Sequence, residues 1–238
     1  MQQNPTAVTI AHVIFLLLVI VSFIVYLSIA TNLYSIISFN AFKLSLSALF
    51  IPIWFALNNI IAELYGQKKL NDLFLALILF QIIMLLVGAP IIAWTNIFND
   101  YQFNDFLRAF IALQAAVLFS NLINIYLSNN LRSLLYVDGF SLKSSGVSMF
   151  SEILFVITIE IIAGYNLYTD GVLTEIIISS LFVLLLVSPL LYLFTTGIIL
   201  ILEKAGIKKK IYNFEKNSES LFEIIVKTTK KQNYRQNK

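Results

Sequence analysis

The sequence predicts an all-α integral membrane protein, a six-transmembrane-helix bundle with the N-terminus and C-terminus cytoplasmic. Three observations predict it. The 238 residues are 59% hydrophobic and only 12% charged, with a mean hydropathy of +0.85, where a soluble domain carries about 25% charge. The apolar residues fall into six blocks, each near the roughly 20 residues a helix needs to cross the hydrocarbon core. The basic residues then collect on alternate connections, as the positive-inside rule requires.

Taken in order, the spans lie at about 11–31, 45–65, 72–95, 107–128, 147–165 and 174–202. The first ten residues carry no charge, and the block after them is long enough to span, so no cleavable signal peptide is expected. The sixth span is longer than a bilayer requires and must tilt or extend into water. Ser188-Pro189 predicts a kink in it, because proline removes a helical hydrogen bond. With the N-terminus inside, 14 of the 16 basic residues are cytoplasmic, including Lys68, Lys69, Arg132, Lys143 and ten from Lys204 onward. Only Lys43 and Arg108 fall outside. The run from Trp94 to Tyr101 suits an external interface, with aromatic rings at headgroup depth. Residues 1–205 therefore read as one transmembrane domain and 206–238 as a basic cytoplasmic tail. The tail mixes lysines with Ile211, Phe214, Leu221 and Phe222, a pattern open to an amphipathic surface helix or a solvated tail.

Composition excludes several kinds of chemistry. Without cysteine there are no disulfides, thiol nucleophiles or thiolate-bound metals. With one histidine, His12, there is no paired-histidine zinc motif. No glycine-rich phosphate loop or nucleic-acid motif is present, and neither a metal nor an organic cofactor is expected.

Polar side chains inside hydrocarbon cost several kcal/mol unless they find partners, which makes them the place to look for function. They cluster. Phe55, Asn59 and Glu63 recur at spacing four in the second span, just after Trp54 and beside Asn58, and so share a helix face. Gln81 lies in the third span. Gln114, Asn121 and Ser128 recur every seven residues in the fourth, with Asn124 alongside. Ser148, Glu152 and Glu160 are spaced by multiples of four in the fifth, so both carboxyls face roughly one side. Each has a plainer reading: amides as interhelical glue, Glu63 as a boundary residue near Lys68 and Lys69, Glu160 as a snorkelling group at the external end. Glu152 lies too deep for that. No nucleophile, metal set or oxyanion motif accompanies the carboxyls, so an enzyme is not expected. A polar, aromatic-lined solute site suits the pattern better.

Three segments carry a family resemblance. The run Glu63-Leu64-Tyr65-Gly66-Gln67-Lys68-Lys69, the run Ser120-Asn121-Leu122-Ile123-Asn124-Ile125-Tyr126, and the run Leu142-Lys143-Ser144-Ser145-Gly146 continuing to Ser151-Glu152 resemble motifs of the queuosine precursor transporter family. They occur in the family's order over roughly residues 10–205. The family's acidic positions in spans two and four are Asn59 and Asn124 here. In span five its glutamine is Glu152 and its acidic residue Phe155. The resemblance implies import of a 7-deazapurine base such as 7-cyano-7-deazaguanine, 7-aminomethyl-7-deazaguanine or queuine. It also implies a bacterial cytoplasmic (inner) membrane location. A guanine-like edge offers adjacent N–H donors to a carboxylate and a carbonyl to an amide, and its ring stacks on aromatic faces. The substrate-binding residues expected on this basis are Asn59, Glu63, Asn121, Asn124 and Glu152, with Trp54 and Phe55 stacking. Phe155 is a further stacking residue.

Two other functions compete. A substrate-binding subunit of an energy-coupling-factor vitamin transporter needs ATPase partners. That class carries small residues at spacing four in its first span, where this chain has Phe15-Leu16-Leu17-Leu18-Val19, so no ATPase partner is expected. A non-transporting membrane scaffold leaves the buried carboxyl and amides without a purpose. The expected partners are a small deazapurine and the lipid bilayer, with no nucleic acid.

Overall fold

A computed structural model of the chain describes residues 5–39, 42–95, 100–134 and 140–204. Its elements are α1 (Pro5–Thr31), β1 (Ile36–Phe39), β2 (Phe42–Ser45), α2 (Ser47–Thr95), α3 (Asp100–Leu134), α4 (Phe140–Gly164) and α5 (Asp170–Lys204). Among the described residues, six helical stretches are long and apolar enough to cross a membrane: His12–Thr31, Ser47–Gly66, Lys68–Val87, Asn104–Asn124, Gly146–Gly164 and Asp170–Leu202. The six-span helical bundle read from the sequence is the observed architecture.

Two of those spans belong to α2, which reverses at Gly66. There φ is 82° and ψ is 162°, a conformation essentially reserved for glycine. The sequence predicted a loop up to residue 72, whereas helix resumes at once after Gly66. A helix keeps every backbone hydrogen bond internal, so the chain loses fewest by turning over a single residue.

Side-chain pairs give the packing. The first half of α2 runs antiparallel to α1: Phe15 meets Tyr65 with ring centroids 4.8 Å apart, Ser22 meets Asn58, and Tyr26 meets Trp54 at 5.5 Å. The second half returns alongside α1, with Phe23 against Phe80 at 4.8 Å, and bonds α3 through Gln81 and Gln114. The most extensive helix contact joins α3 to α4, and α5 closes the bundle against α2 and α4. Six crossings place the start of α1, Gly66 and the end of α5 at one end of the bundle.

At the opposite end lies a β-hairpin that the sequence reading missed. β1 and β2 pair antiparallel from Ile36↔Ser45 to Phe39↔Phe42. The strands are rich in the β-branched and aromatic residues that favour extended structure. Lys43 reaches Glu175 at 3.0 Å, and Phe42 meets Phe182 edge-on at 6.2 Å, so β2 lies against the start of α5. α5 is helical from Asp170 to Lys204 with Pro189 inside it.

The outer surface is apolar, with Leu86, Leu190, Leu193 and Phe194 about two-thirds exposed or more. A broad apolar surface of this kind marks contact with lipid. The side chains of Ser128, Arg132 and Lys143, the connection 96–99 and the tail from residue 205 lie outside the described residues.

Candidate functional site

The polar residues of the interior are joined across four helices. On α2, Trp54 and Asn58 form one stripe and Phe55 and Asn59 the next, one residue on. The first stripe meets α1, where the Ser22 hydroxyl donates to Asn58 Oδ1 at 3.2 Å. The second meets α4, where Ser148 donates to Asn59 Oδ1 at 2.8 Å and Phe155 packs on Phe55 at 5.7 Å. One turn along α4 from Ser148, Glu152 is fully buried and accepts from two α5 hydroxyls, Ser188 at 2.5 Å and Tyr192. Ser188 and Tyr192 are four apart and share a helix face. Ser22, Asn58, Asn59, Ser148, Glu152, Ser188 and Tyr192 thus form one polar layer through α1, α2, α4 and α5.

The amide orientations decide what this layer offers. Both asparagines use their carbonyls on serine hydroxyls, leaving Asn58 Nδ2 and Asn59 Nδ2 buried without a partner in the described structure. Trp54 Nε1 is in the same condition. Unpaired buried N–H groups are costly, and three on adjacent faces of one helix favour a ligand that brings acceptors. The Glu152 carboxylate retains lone pairs beyond the two hydroxyls, since it has about four acceptor sites.

Aromatic rings wall the layer on the hairpin side. Trp54 touches Tyr26, Phe55, Phe74 and Phe155 with centroids 5.3–5.7 Å apart. The expected stacking residues therefore stack first on one another.

The expected site residues divide. Asn59, Glu152, Trp54 and Phe55 come together as described. Glu63 is half-buried one turn nearer Gly66, on the face of Asn59, and is engaged with neighbours there. Asn121 and Asn124 are half-buried on α3, which packs on α4. The Asn121 Oδ1 is buried without a partner. Sequence reasoning placed Asn58 in the polar cluster but not among the substrate-binding residues, and gave Ser188 and Tyr192 no part in the site. Asn58 follows Trp54 by four, and Ser188 and Tyr192 are the same distance apart, so the signal was present in the spacing.

Glu160 corrects an expectation. It is 3% exposed instead of snorkelling, because the foot of the hairpin covers it, with Ser45 beside its carboxyl. Nearby, Tyr34 donates to the Asp105 carbonyl at 2.9 Å. Burial, reinforced by the Asp105 charge, pushes its hydroxyl up to about 12.

Six helices long and apolar enough to cross a membrane, packed around a buried polar layer, define a multi-pass membrane protein. Residues 45–198 match the model of the family described as "putative vitamin uptake transporter", which corresponds to the queuosine precursor transporters, and the chain belongs to that family. No curated protein and no solved structure matches it significantly.

Proposed function

We propose that this protein imports a queuosine precursor, a 7-deazaguanine-type base, and binds it in the polar layer between α2 and α4. The observation that carries this reading is the set of unpartnered donors, Trp54 Nε1, Asn58 Nδ2 and Asn59 Nδ2, one helix away from the Glu152 carboxyl. A guanine-like base is complementary to both: its carbonyl and ring acceptor take amide N–H groups, and its N–H edge donates to a carboxylate. Glu63, Asn121 and Asn124 complete the polar surface as the base moves. The transporter works alone, without an ATPase subunit, in the bacterial cytoplasmic membrane. The Gly66 end and the basic tail are cytoplasmic.

Tight binding alone would trap the solute, so the empty layer must keep most of its polar groups bonded within the protein. Ser22 and Ser148 already hold the amide carbonyls, while Ser188 and Tyr192 satisfy Glu152. The emptied layer therefore leaves only N–H groups short of partners.

Uptake tests the reading. Bacteria unable to make deazaguanines, expressing this chain alone, receive labelled 7-cyano-7-deazaguanine, 7-aminomethyl-7-deazaguanine or queuine, with queuosine in their tRNA as the readout. Rescue by one of the bases supports the proposal and names the substrate. With the protein present in the membrane, failure of all three would overturn it.

A further inference from the structure

The polar layer does not account for the other buried carboxyl. Glu160 lies two turns nearer the hairpin on α4, and its Oε1 has no partner in the described structure. α4 and α5 run antiparallel, with Glu152 against Ser188. Moving eight residues forward on α4 and eight back on α5 brings Glu160 level with Ser180. Ser180 is fully buried, and its Oγ is also unpartnered. Two buried oxygens, one from each helix, thus stand at the same level of the α4–α5 pair, each without a partner.

A third element supplies more oxygen. Ser45, at the foot of β2, lies beside the Glu160 carboxyl. Its Oγ is also 2.7 Å from Ser47 Oγ and 3.1 Å from the Leu33 carbonyl. With Ser47 donating to Ser45, the single Ser45 proton serves either the Leu33 carbonyl or Glu160 but not both, so this cluster has more acceptors than donors. Among the described residues, no basic side chain pairs with Glu160. Lys43 is paired with Glu175, and Arg108 donates to the Tyr165 carbonyl at 3.1 Å. Tyr168, the other titratable group near Glu160, is neutral at ordinary pH and cannot neutralise it.

We propose that the hairpin end of the bundle binds a monovalent cation of sodium's size, held between Glu160 of α4, Ser180 of α5 and the Ser45–Ser47 hydroxyl pair. Hard cations take oxygen ligands, at about 2.3–2.6 Å for ions of this radius. Two oxygens sharing such an ion stand beyond hydrogen-bond reach of each other, as Glu160 and Ser180 do. A single carboxylate balances one positive charge. A divalent ion would call for further carboxylates, and Glu175 is turned to Lys43 instead. Once bound, the ion ties the hairpin, α4 and α5 together at one point. The site is independent of the substrate proposed above.

Equilibrium binding of radioactive sodium to the purified full-length protein, exchanged into choline chloride, tests this directly. The expected result is saturable binding at one site per chain, displaced by unlabelled sodium and accompanied by a sodium-dependent rise in unfolding temperature. Glu160→Gln abolishes both effects. Ser180→Ala, which removes one oxygen, weakens binding roughly tenfold, about 1.4 kcal/mol. Thr196→Ala, further along α5, retains wild-type affinity. Absence of saturable sodium binding in the wild-type protein would overturn the proposal. So would wild-type affinity in a folded Ser180→Ala variant, which does not depend on Glu160→Gln folding.

Discussion

Tyr192→Phe removes one hydroxyl from the bonds that join α5 to α4 and leaves the ring in place. In water, a hydrogen bond to a charged group contributes about 1.5–3 kcal/mol. Interhelical bonds inside membranes average about 0.6 kcal/mol and reach about 1.7, because the unfolded helices also find partners in lipid. The second range applies, since Glu152 and Tyr192 meet between spanning helices. A double-mutant cycle of Tyr192→Phe with Glu152→Gln should therefore give a coupling of about 0.6–1.7 kcal/mol. That is roughly a 3- to 18-fold change in the unfolding equilibrium. Reversible unfolding in mixed detergent–lipid micelles measures it. A coupling within about 0.3–0.5 kcal/mol of zero, the usual additivity error, would refute the claim that these groups bond in the folded protein.

Three further substitutions probe the backbone and the hairpin end. Gly66→Ala forces a Cβ into a glycine conformation and should cost about 1–3 kcal/mol, visible as a lower unfolding temperature. Gly164→Ala brings a Cβ within 2.5 Å of Leu173 Cδ1, so it should destabilise by about 1 kcal/mol and be relieved by Leu173→Ala. Tyr34 has its hydroxyl raised from 10.0 to about 12 by burial. Its contribution is complete below the unfolded value and lost as pH rises from 10 through 12. An alkaline titration of unfolding temperature should show that loss, and Tyr34→Phe should flatten it.

The spans were legible because bilayer thickness sets a length that composition reveals directly. The placement of Ser148, Glu152 and Glu160 toward the interior was legible too, since spacing four or eight keeps residues on one helix face. What escaped was set between elements. The hairpin at Ile36–Ser45 is short, and its strands gain stability by resting on α5, through Phe42–Phe182 and Lys43–Glu175. Glu160 looked like a residue at the water boundary because nothing in its own span shows that Ser45 covers it. The roles of Ser188 and Tyr192 depend on the α4–α5 register. No single-helix pattern contains that register, although their spacing marks them as sharing a face. Gly66 was quoted only within a motif, while its conformation is what allows two spans to form without a loop.

The central claim is that a deazaguanine base binds beside Trp54. The chain has two tryptophans, Trp54 and Trp94, so Trp94→Phe makes Trp54 the sole indole reporter. Titrating 7-cyano-7-deazaguanine, 7-aminomethyl-7-deazaguanine and queuine into that purified variant should quench its fluorescence saturably with at least one of them. Asn59→Leu on the same background should lose the effect. Unchanged fluorescence at saturating concentrations of all three bases, or an undiminished response after Asn59→Leu, would contradict the account.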